Sequence, residues 1–242
     1  MQTVIVTGHS SGLGKALAEH YIAEGCAVTG ISRRLWPSEN GLFGQTALDL
    51  ADSSALAAYL DGTDFQTVCR EASRILLFNN AASLAPNRLS GRQGWRETAQ
   101  AVALNITAPL MLADAVAAFA DGIRQIDIVH ISSGAGRKNY PAWSVYGACK
   151  AALDRHALVM AAENLPKLRI VSLAPGVVDT AMQAQIRAAD AAEFPLLPQF
   201  RELYENGALS STVQAAKRIA EFAASPDFGR TVLADIRDYL YQ

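Results

Sequence analysis

The chain has 242 residues, of which 50% are hydrophobic and 18% charged, and its net charge is −2. Such a balance excludes an intrinsically disordered chain, and the length allows a single domain with a sizeable core. The near-neutral charge does not fit a nucleic-acid binder or a protein held on an anionic membrane surface.

"TVIVT" at residues 3–7 predicts a buried strand, residues 8–14 a loop, and the following stretch a helix to about Glu24 with Gly25 as its C-cap. Strands are expected at 27–32 and 46–48, then a helix near Asp52 and Ser53, both good N-caps. "RILLFN" at 74–79 predicts a strand, and residues 95–119 a long helix bent at Pro109. That region overlaps the most apolar stretch, 99–120, which Asn105, Pro109 and Asp114 interrupt, so no membrane span is expected. Further strands are expected at 126–132, 168–174 and 230–234, with helices at 144–164 and 211–224. Residues 181–206 read as irregular. Strands apolar throughout and alternating with helices imply an α/β fold: one Rossmann-type, doubly wound parallel sheet with helices on both faces, spanning 1–242 as a single domain.

Met1 leads straight into a strand, so no secretory leader is expected. Cys26, Cys69 and Cys149 lack metal or C-x-x-C spacing, which fits a reducing, cytoplasmic setting. No metal site is expected.

The first strand runs into "TGHSSGLGK", with Gly8, Gly12 and Gly14 between a strand and a helix. Glycines there permit a tight turn and let a pyrophosphate approach the positive helix N-terminus, which makes Gly8, Ser10, Ser11, Gly12, Leu13 and Gly14 candidate cofactor contacts. His9 reads as an exposed residue at the phosphate mouth, with a direct cofactor contact as the alternative.

The G-x-x-x-G-x-G spacing, "NNAA" (79–82), "LNITAPL" (104–110), "ISSGAG" (131–136), "YGACK" (146–150) and "APGVVDT" (174–180) occur in one order along the chain. Together they resemble the short-chain dehydrogenase/reductase family, with Ala82 standing where that family has Gly. The resemblance implies a nicotinamide cofactor held also by Asn79, Ala81, Pro175, Gly176, Val178 and Thr180, with Val177 a further backbone contact. It places Asp49, beside Leu50, at the adenine, although Asp49 reads equally as an N-cap neighbour. An acidic residue after the second strand selects NAD, whereas Arg accommodates a 2′-phosphate. Ser32 occupies the acidic position and Arg33 follows it, so NADP(H) is expected, with Arg34 facing solvent.

Tyr146 and Lys150 stand four apart and share one face of a helix. A nearby cation would lower the tyrosine pKa from its usual ~10 and let it exchange protons with a carbonyl substrate. The resemblance makes Tyr146 the general acid or base, and has Lys150 also bind the nicotinamide ribose. Ser133, thirteen residues before Tyr146, becomes the second donor to the substrate oxygen, with Ser132 the neighbour to exclude. Asn105 matches the residue that holds a water in a proton relay to the lysine, or else is a buried Asn that kinks its helix. Cys149, His130 and His156 read as structural, and neither histidine has a visible partner.

Trp143, Met182, Phe194, Leu196, Leu197, Phe200 and Tyr204 either form an apolar, aromatic-friendly pocket or cover the sheet. "PGVVDTAMQ" (175–183) and "GRTVLADIRDYL" (229–240) resemble the sepiapterin reductases and, more closely, the benzil reductases that form (S)-benzoin. That implies reduction of a ketone or 1,2-diketone by a homodimer or homotetramer. The open alternatives are alcohol oxidation, a sepiapterin-type reaction, and a non-catalytic NADP-binding regulator.

Overall fold

Strand β1 (Gln2–Thr7) sends Val4 and Val6 to one core and Ile5 to another, as the two-residue period of a strand requires. Strand β4 (Arg74–Asn79) repeats the pattern, with Leu76 and Phe78 on one side and Ile75 and Leu77 on the other. A sheet apolar on both faces must be covered on both, which is the doubly wound arrangement. A computed structural model describes residues 2–121 and 124–239; Leu240, the last residue of the ending motif, lies outside them.

Strands β2 (Ala27–Ser32), β3 (Phe43–Ala47), β5 (Gln125–Ile131), β6 (Leu168–Ala174) and β7 (Leu233–Asp235) complete a seven-stranded parallel sheet of order β3-β2-β1-β4-β5-β6-β7. Helices α1 (Gly12–Ala23) and α9 (Thr212–Ala224) cover one face with Leu17, Ile219 and Phe222. Helices α2 (Ser53–Asp61), α3 (Thr63–Glu71), α5 (Ala108–Ala117) and α6 (Ser144–Ala162) cover the other with Leu56, Phe65, Leu112 and Ala157. Each of the larger side chains contributes roughly 1.5–3 kcal/mol by leaving water. Asp52 caps α2 by accepting from the Ser54 and Ala55 amides, and Gly25 follows α1 at φ +76°, both as expected. The strand order reverses between β1 and β4, so a crevice opens at the carboxyl ends of those parallel strands.

Strand β3 starts at Phe43 where residue 46 was expected and β7 at Leu233 where residue 230 was expected, and two further elements differ more. Residues 181–206 contain helices α7 (Ala181–Arg187) and α8 (Leu197–Glu205). Pro198 lies in the first turn of α8, where its missing N–H costs nothing, so it opens that helix. The long helix is irregular just before Pro109. It runs as α4 (Trp95–Val102), a π-helical turn at Ala103–Thr107, and α5. Pro109 cannot donate to the Asn105 carbonyl and its ring would crowd it; the helix widens by one residue instead, and the Ala108 amide bonds back to Ala103 O. Trp95–Ala117 is long and apolar enough to cross a membrane, but Ala108, Leu112, Ala113 and Val116 are buried against the sheet.

His130 and His156 are partners, contrary to expectation. Asn79 Nδ2 donates to Pro109 O at 3.1 Å and lies 3.1 Å from His130 Nδ1. An amide N–H can only donate, so Nδ1 accepts and the His130 proton sits on Nε2, 3.1 Å from His156 Nδ1. Burial, then the nearby His156 and Lys150 charges, push the His130 pKa down to about 3. The unfolded chain takes up this proton below ~6.5 and the folded chain does not, so stability held above that pH is lost as pH falls toward 3, by up to ~1.4 kcal/mol per pH unit. A His130→Gln variant should therefore lose Tm less steeply between pH 6.5 and 4 in differential scanning fluorimetry; equal slopes would contradict this account.

Candidate active site

The crevice is a cleft of about 930 Å³. Gly8, Ser10, Ser11, Gly12 and Leu13 line its floor, and Thr180 faces Gly12 from the opposite wall. A Cβ on Gly14 would stand 2.4 Å from both Asn80 Nδ2 and Gly8 O, so only glycine lets α1 start so close to the loop. Gly14 thus shapes the cleft without lining it. Ala81, Asp49, Leu50, Pro175, Gly176, Val178 and Thr180 all line it, as does Val177. Asp49 fits both of its readings, because its Oδ1 also accepts from the Ala51 amide at 3.0 Å. Arg33 and Arg34 both lie in the lining, and neither has a carboxylate partner among the described residues.

At the other end Ser133, Tyr146 and Lys150 converge. Ser133 caps the short turn Gly134–Gly136, accepting from the Ala135 amide at 3.1 Å. That turn packs tightly on α6: a Cβ on Gly136 would lie 2.9 Å from the Lys150 carbonyl carbon, and one on Gly147 would lie 2.9 Å from Ala135 O. This close approach brings the Ser133 hydroxyl into hydrogen bonding with Tyr146. Ser132 is excluded from the cleft's chemistry, since its hydroxyl donates to Asp154 at 2.7 Å in a buried cluster with Ser172 and Arg137. Lys150 Nζ donates to Ile131 O at 2.7 Å and lies 5.6 Å from the Tyr146 ring centroid. Burial pushes the Lys150 pKa down to about 8.

The expected lowering of the tyrosine pKa by Lys150 does not hold here. Burial pushes Tyr146 up to about 12, opposed by its bond from Ser133. The ammonium is turned to the Ile131 carbonyl and is itself poorly solvated, so desolvation of the phenolate dominates.

Trp143 forms the wall beside Tyr146. Its ring meets Tyr146 edge-on at 5.7 Å and stacks on Phe194 at 5.2 Å, and its Nε1 donates to Asn87 Oδ1 at 2.8 Å. Met182 and Phe200 join it in the lining, while Phe194 and Leu197 are buried behind and Leu196 packs among them. Tyr204 is exposed, with the Arg187 guanidinium 3.9 Å from its ring centroid. The two readings of this aromatic set thus divide it between pocket and cover.

The described geometry has counterparts among known proteins. A family model described as short chain dehydrogenase matches residues 2–191. The chain belongs to the short-chain dehydrogenase/reductase family. A benzil reductase ((S)-benzoin forming) of Bacillus cereus is 33% identical, covering 94% of this chain and 96% of its own length. The sepiapterin reductase of Mus musculus is 29% identical, covering 97% of this chain and 96% of its own. A short-chain dehydrogenase/reductase crystal structure from Burkholderia vietnamiensis is 38% identical with a TM-score of 0.71, covering 98% of this chain and 97% of that one. As a member of this family, the chain is an oxidoreductase that acts on CH–OH and C=O groups with a nicotinamide cofactor.

Two expected roles, those of Asn79 and His9, are different in the structure. Asn79 turns inward to Pro109 and His130, and its neighbour Asn80 lines the cleft instead. Asn105 is buried and clasps Ser83, accepting from its amide at 2.9 Å and donating to its carbonyl at 2.8 Å. Its clasp holds the 80–85 segment, and its burial agrees with the reading of a buried Asn before Pro109. His9 is neither exposed nor in the lining: it is fully buried. Thr7 escaped sequence reasoning. Its Oγ1 accepts from the Asn80 and Ala81 amides, both at 2.9 Å, and so joins the glycine loop to the floor beyond β4. A polar residue closing an otherwise apolar strand just before Gly8 was the available signal.

Proposed function

We propose that the chain is an NADPH-dependent carbonyl reductase whose substrate is a ketone or 1,2-diketone carrying an aryl group, as in benzil. The observation that carries this reading is one cleft with unpaired Arg33 and Arg34 at one end and, at the other, Ser133 and Tyr146 beside the Trp143 wall. The benzil reductase relative supports the substrate class.

When bound, the nicotinamide supplies the hydride. The chain's own residues do the rest. Ser133 and Tyr146 hydroxyls hold the carbonyl oxygen, Tyr146 Oη gives its proton as the alkoxide develops, and Lys150 orients the ribose and recharges the tyrosine. A tyrosine pKa near 12 still lies well below that of a conjugate acid comparable to water, ~15.7, so the transfer runs downhill. The same groups run the reverse oxidation. The Trp143 ring, held by Phe194 on one face and by Asn87 at its nitrogen, offers a flat aryl group a partner without further ordering. We place this enzyme in the cytoplasm, without nucleic-acid or membrane partners, as a homodimer or homotetramer. The exposed Leu158 and Val159 of α6 and Val102 of α4 support that assembly.

The test compares NADPH and NADH oxidation with benzil, aryl ketones and sepiapterin, in wild type and Arg33→Ser. Charge-assisted hydrogen bonds to a phosphate contribute ~1.5–3 kcal/mol, so the substitution should lower kcat/KM for NADPH by roughly 10–100-fold and leave NADH nearly unchanged. A wild type that prefers NADH would overturn the cofactor assignment, and one inert toward every aryl carbonyl would overturn the substrate class.

A further inference from the structure

His9 lies between Gly8 and Ser10 of the phosphate loop, yet its ring points away from the cleft and is fully buried. It fills a space that Gly30 of β2 leaves open: a Cβ there would stand 2.5 Å from His9 Cγ and 2.6 Å from Nδ1. The ring meets Phe43 edge-on at 5.6 Å, and its Nε2 lies 2.9 Å from Gln45 Oε1. Gln45 in turn grips the backbone of Trp36 at two points. Its Oε1 accepts from the Trp36 amide at 3.1 Å and its Nε2 donates to Trp36 O at 2.8 Å. These two bonds fix which end of the Gln45 amide is oxygen, so His9 must donate from Nε2.

Trp36 closes the turn that carries Arg33 and Arg34. At the other end of that turn, the Ser32 hydroxyl donates to Arg34 O, and Ser32 is held in the sheet opposite Ala47. The Trp36 ring packs on Phe43 at 4.9 Å with Lys15 Nζ 5.1 Å from its centroid. The arginine turn is therefore pinned at both ends, and the second pin is tied to the phosphate loop through His9.

We infer that His9, acting through Gln45, is a positioning residue that locks the Arg33–Arg34 turn to the glycine loop, and so sets the cleft's preference for a 2′-phosphorylated adenosine. Without the lock, the glycine loop still receives a pyrophosphate, but the guanidinium groups lose their fixed distance from it. The cost falls on phosphate recognition, which depends on preorganised charge, more than on the shared dinucleotide contacts. The inference rests on the NADPH reading above.

Isothermal titration of NADP+, NAD+ and 2′,5′-ADP against wild type, His9→Ala, Gln45→Leu and the double variant tests it, with the Tm of each unliganded protein alongside. Loss of one buried hydrogen bond and the order it imposes should weaken NADP+ and 2′,5′-ADP about tenfold in His9→Ala, and at least as much in Gln45→Leu, which also loses both bonds to Trp36, while NAD+ weakens by less than about threefold. The double variant should be no weaker than Gln45→Leu alone, because His9 acts only through Gln45. Gly30→Ala should reproduce the loss by displacing the ring, and adding it to His9→Ala should cost no further affinity. Turnover at saturating NADPH should fall much less than affinity. If the variants lower Tm but keep the wild-type ratio of NADP+ to NAD+ affinity, or if the two losses add, His9 is only a packing residue and the inference fails. A wild type that binds NAD+ as tightly as NADP+ would instead overturn the cofactor reading, and the lock's role with it.

Discussion

A Tyr146→Phe enzyme should lose ~10³-fold or more in kcat with an aryl ketone while binding NADP+ within about threefold of wild type. On the proposed function the phenol has two duties in the cleft. It donates one of two hydrogen bonds to the carbonyl oxygen, and it is the proton source for the alkoxide. A positioned proton donor contributes ~10²–10⁴-fold and loss of an oxyanion donor a further ~10²-fold, though the two are one interaction at the transition state and do not multiply in full. Phenylalanine keeps the ring that Trp143 meets edge-on, and the wall itself stays fixed by Phe194 and Asn87. The fold should therefore be unchanged, and a lowered Tm is not expected to explain the loss. Lys150 remains bonded to Ile131 O, which preserves its position in the cleft. Stopped-flow or steady-state NADPH oxidation gives kcat, and titration gives the binding constant. Full activity in this variant would remove Tyr146 from the chemistry.

The architecture was legible because its signals are local. Strands such as 74–79 and 168–174 are apolar runs flanked by breakers, and the structure reproduces those bounds. The convergence of the candidate catalytic residues in one cleft was legible because the proposed chemistry constrains their spacing: Tyr146 and Lys150 must share a helical face, and Ser133 must follow a strand end beside it. What sequence could not show depends on contacts between distant segments. His9 reads as a loop residue until Gly30 and Gln45 are known to surround it. His130 and His156 are twenty-six positions apart and meet only once β5 and α6 pack. Asn79 and Asn80 are adjacent and chemically identical, and strand alternation alone sends one inward and the other to the cleft. The π-helical turn was half visible: Pro109 was expected to disturb its helix, but a bend and a widened turn satisfy the same missing donor.

The site's rigidity comes from buried polar clusters that hold strand ends. Asp154, one turn beyond Lys150 on α6, accepts from Ser132 at 2.7 Å, Ser172 at 2.6 Å and Arg137 Nε at 2.9 Å. Arg137 also donates to Ser172 O and Ala234 O, so β5, β6, β7 and α6 meet at one carboxylate just behind Ser133 and Lys150. An unpaired polar group there would be costly, which makes the cluster self-consistent and the geometry of the catalytic groups unique.

A second carboxylate does the same work at the opposite end of the sheet, and its removal should give the largest loss of stability. Asp127 of β5 is fully buried, with Arg74 of β4 at 2.7 and 3.0 Å and Arg169 of β6 at 2.8 and 3.1 Å. Gln125 Nε2 adds a fifth donor at 2.9 Å. The arginines extend the clamp outward: Arg74 donates to Ala223 O of α9, and Arg169 donates to Phe228 O with its guanidinium 4.9 Å from the Phe228 ring centroid. Asp127→Asn keeps the shape but leaves two guanidinium groups around a neutral amide that turns its own donors toward one of them. Removing one member of a buried ion pair costs ~3–5 kcal/mol. The Arg74 and Arg169 side chains are 29% and 35% exposed, so water relieves part of the strain and the lower end of that range applies. In a domain of this size ~3 kcal/mol corresponds to a Tm lowered by roughly 6–12 °C. Asp127 sits near the start of β5 and Ser133 just past its end, roughly 20 Å away at ~3.3 Å per residue, so kcat of the folded enzyme at 25 °C should not change. Replacing all three groups together, Arg74→Met, Asp127→Leu and Arg169→Met, leaves no orphaned charge and should recover stability to within ~1 kcal/mol of wild type. A Tm change below about 2 °C in Asp127→Asn would mean that strand pairing and packing hold these elements without the carboxylate.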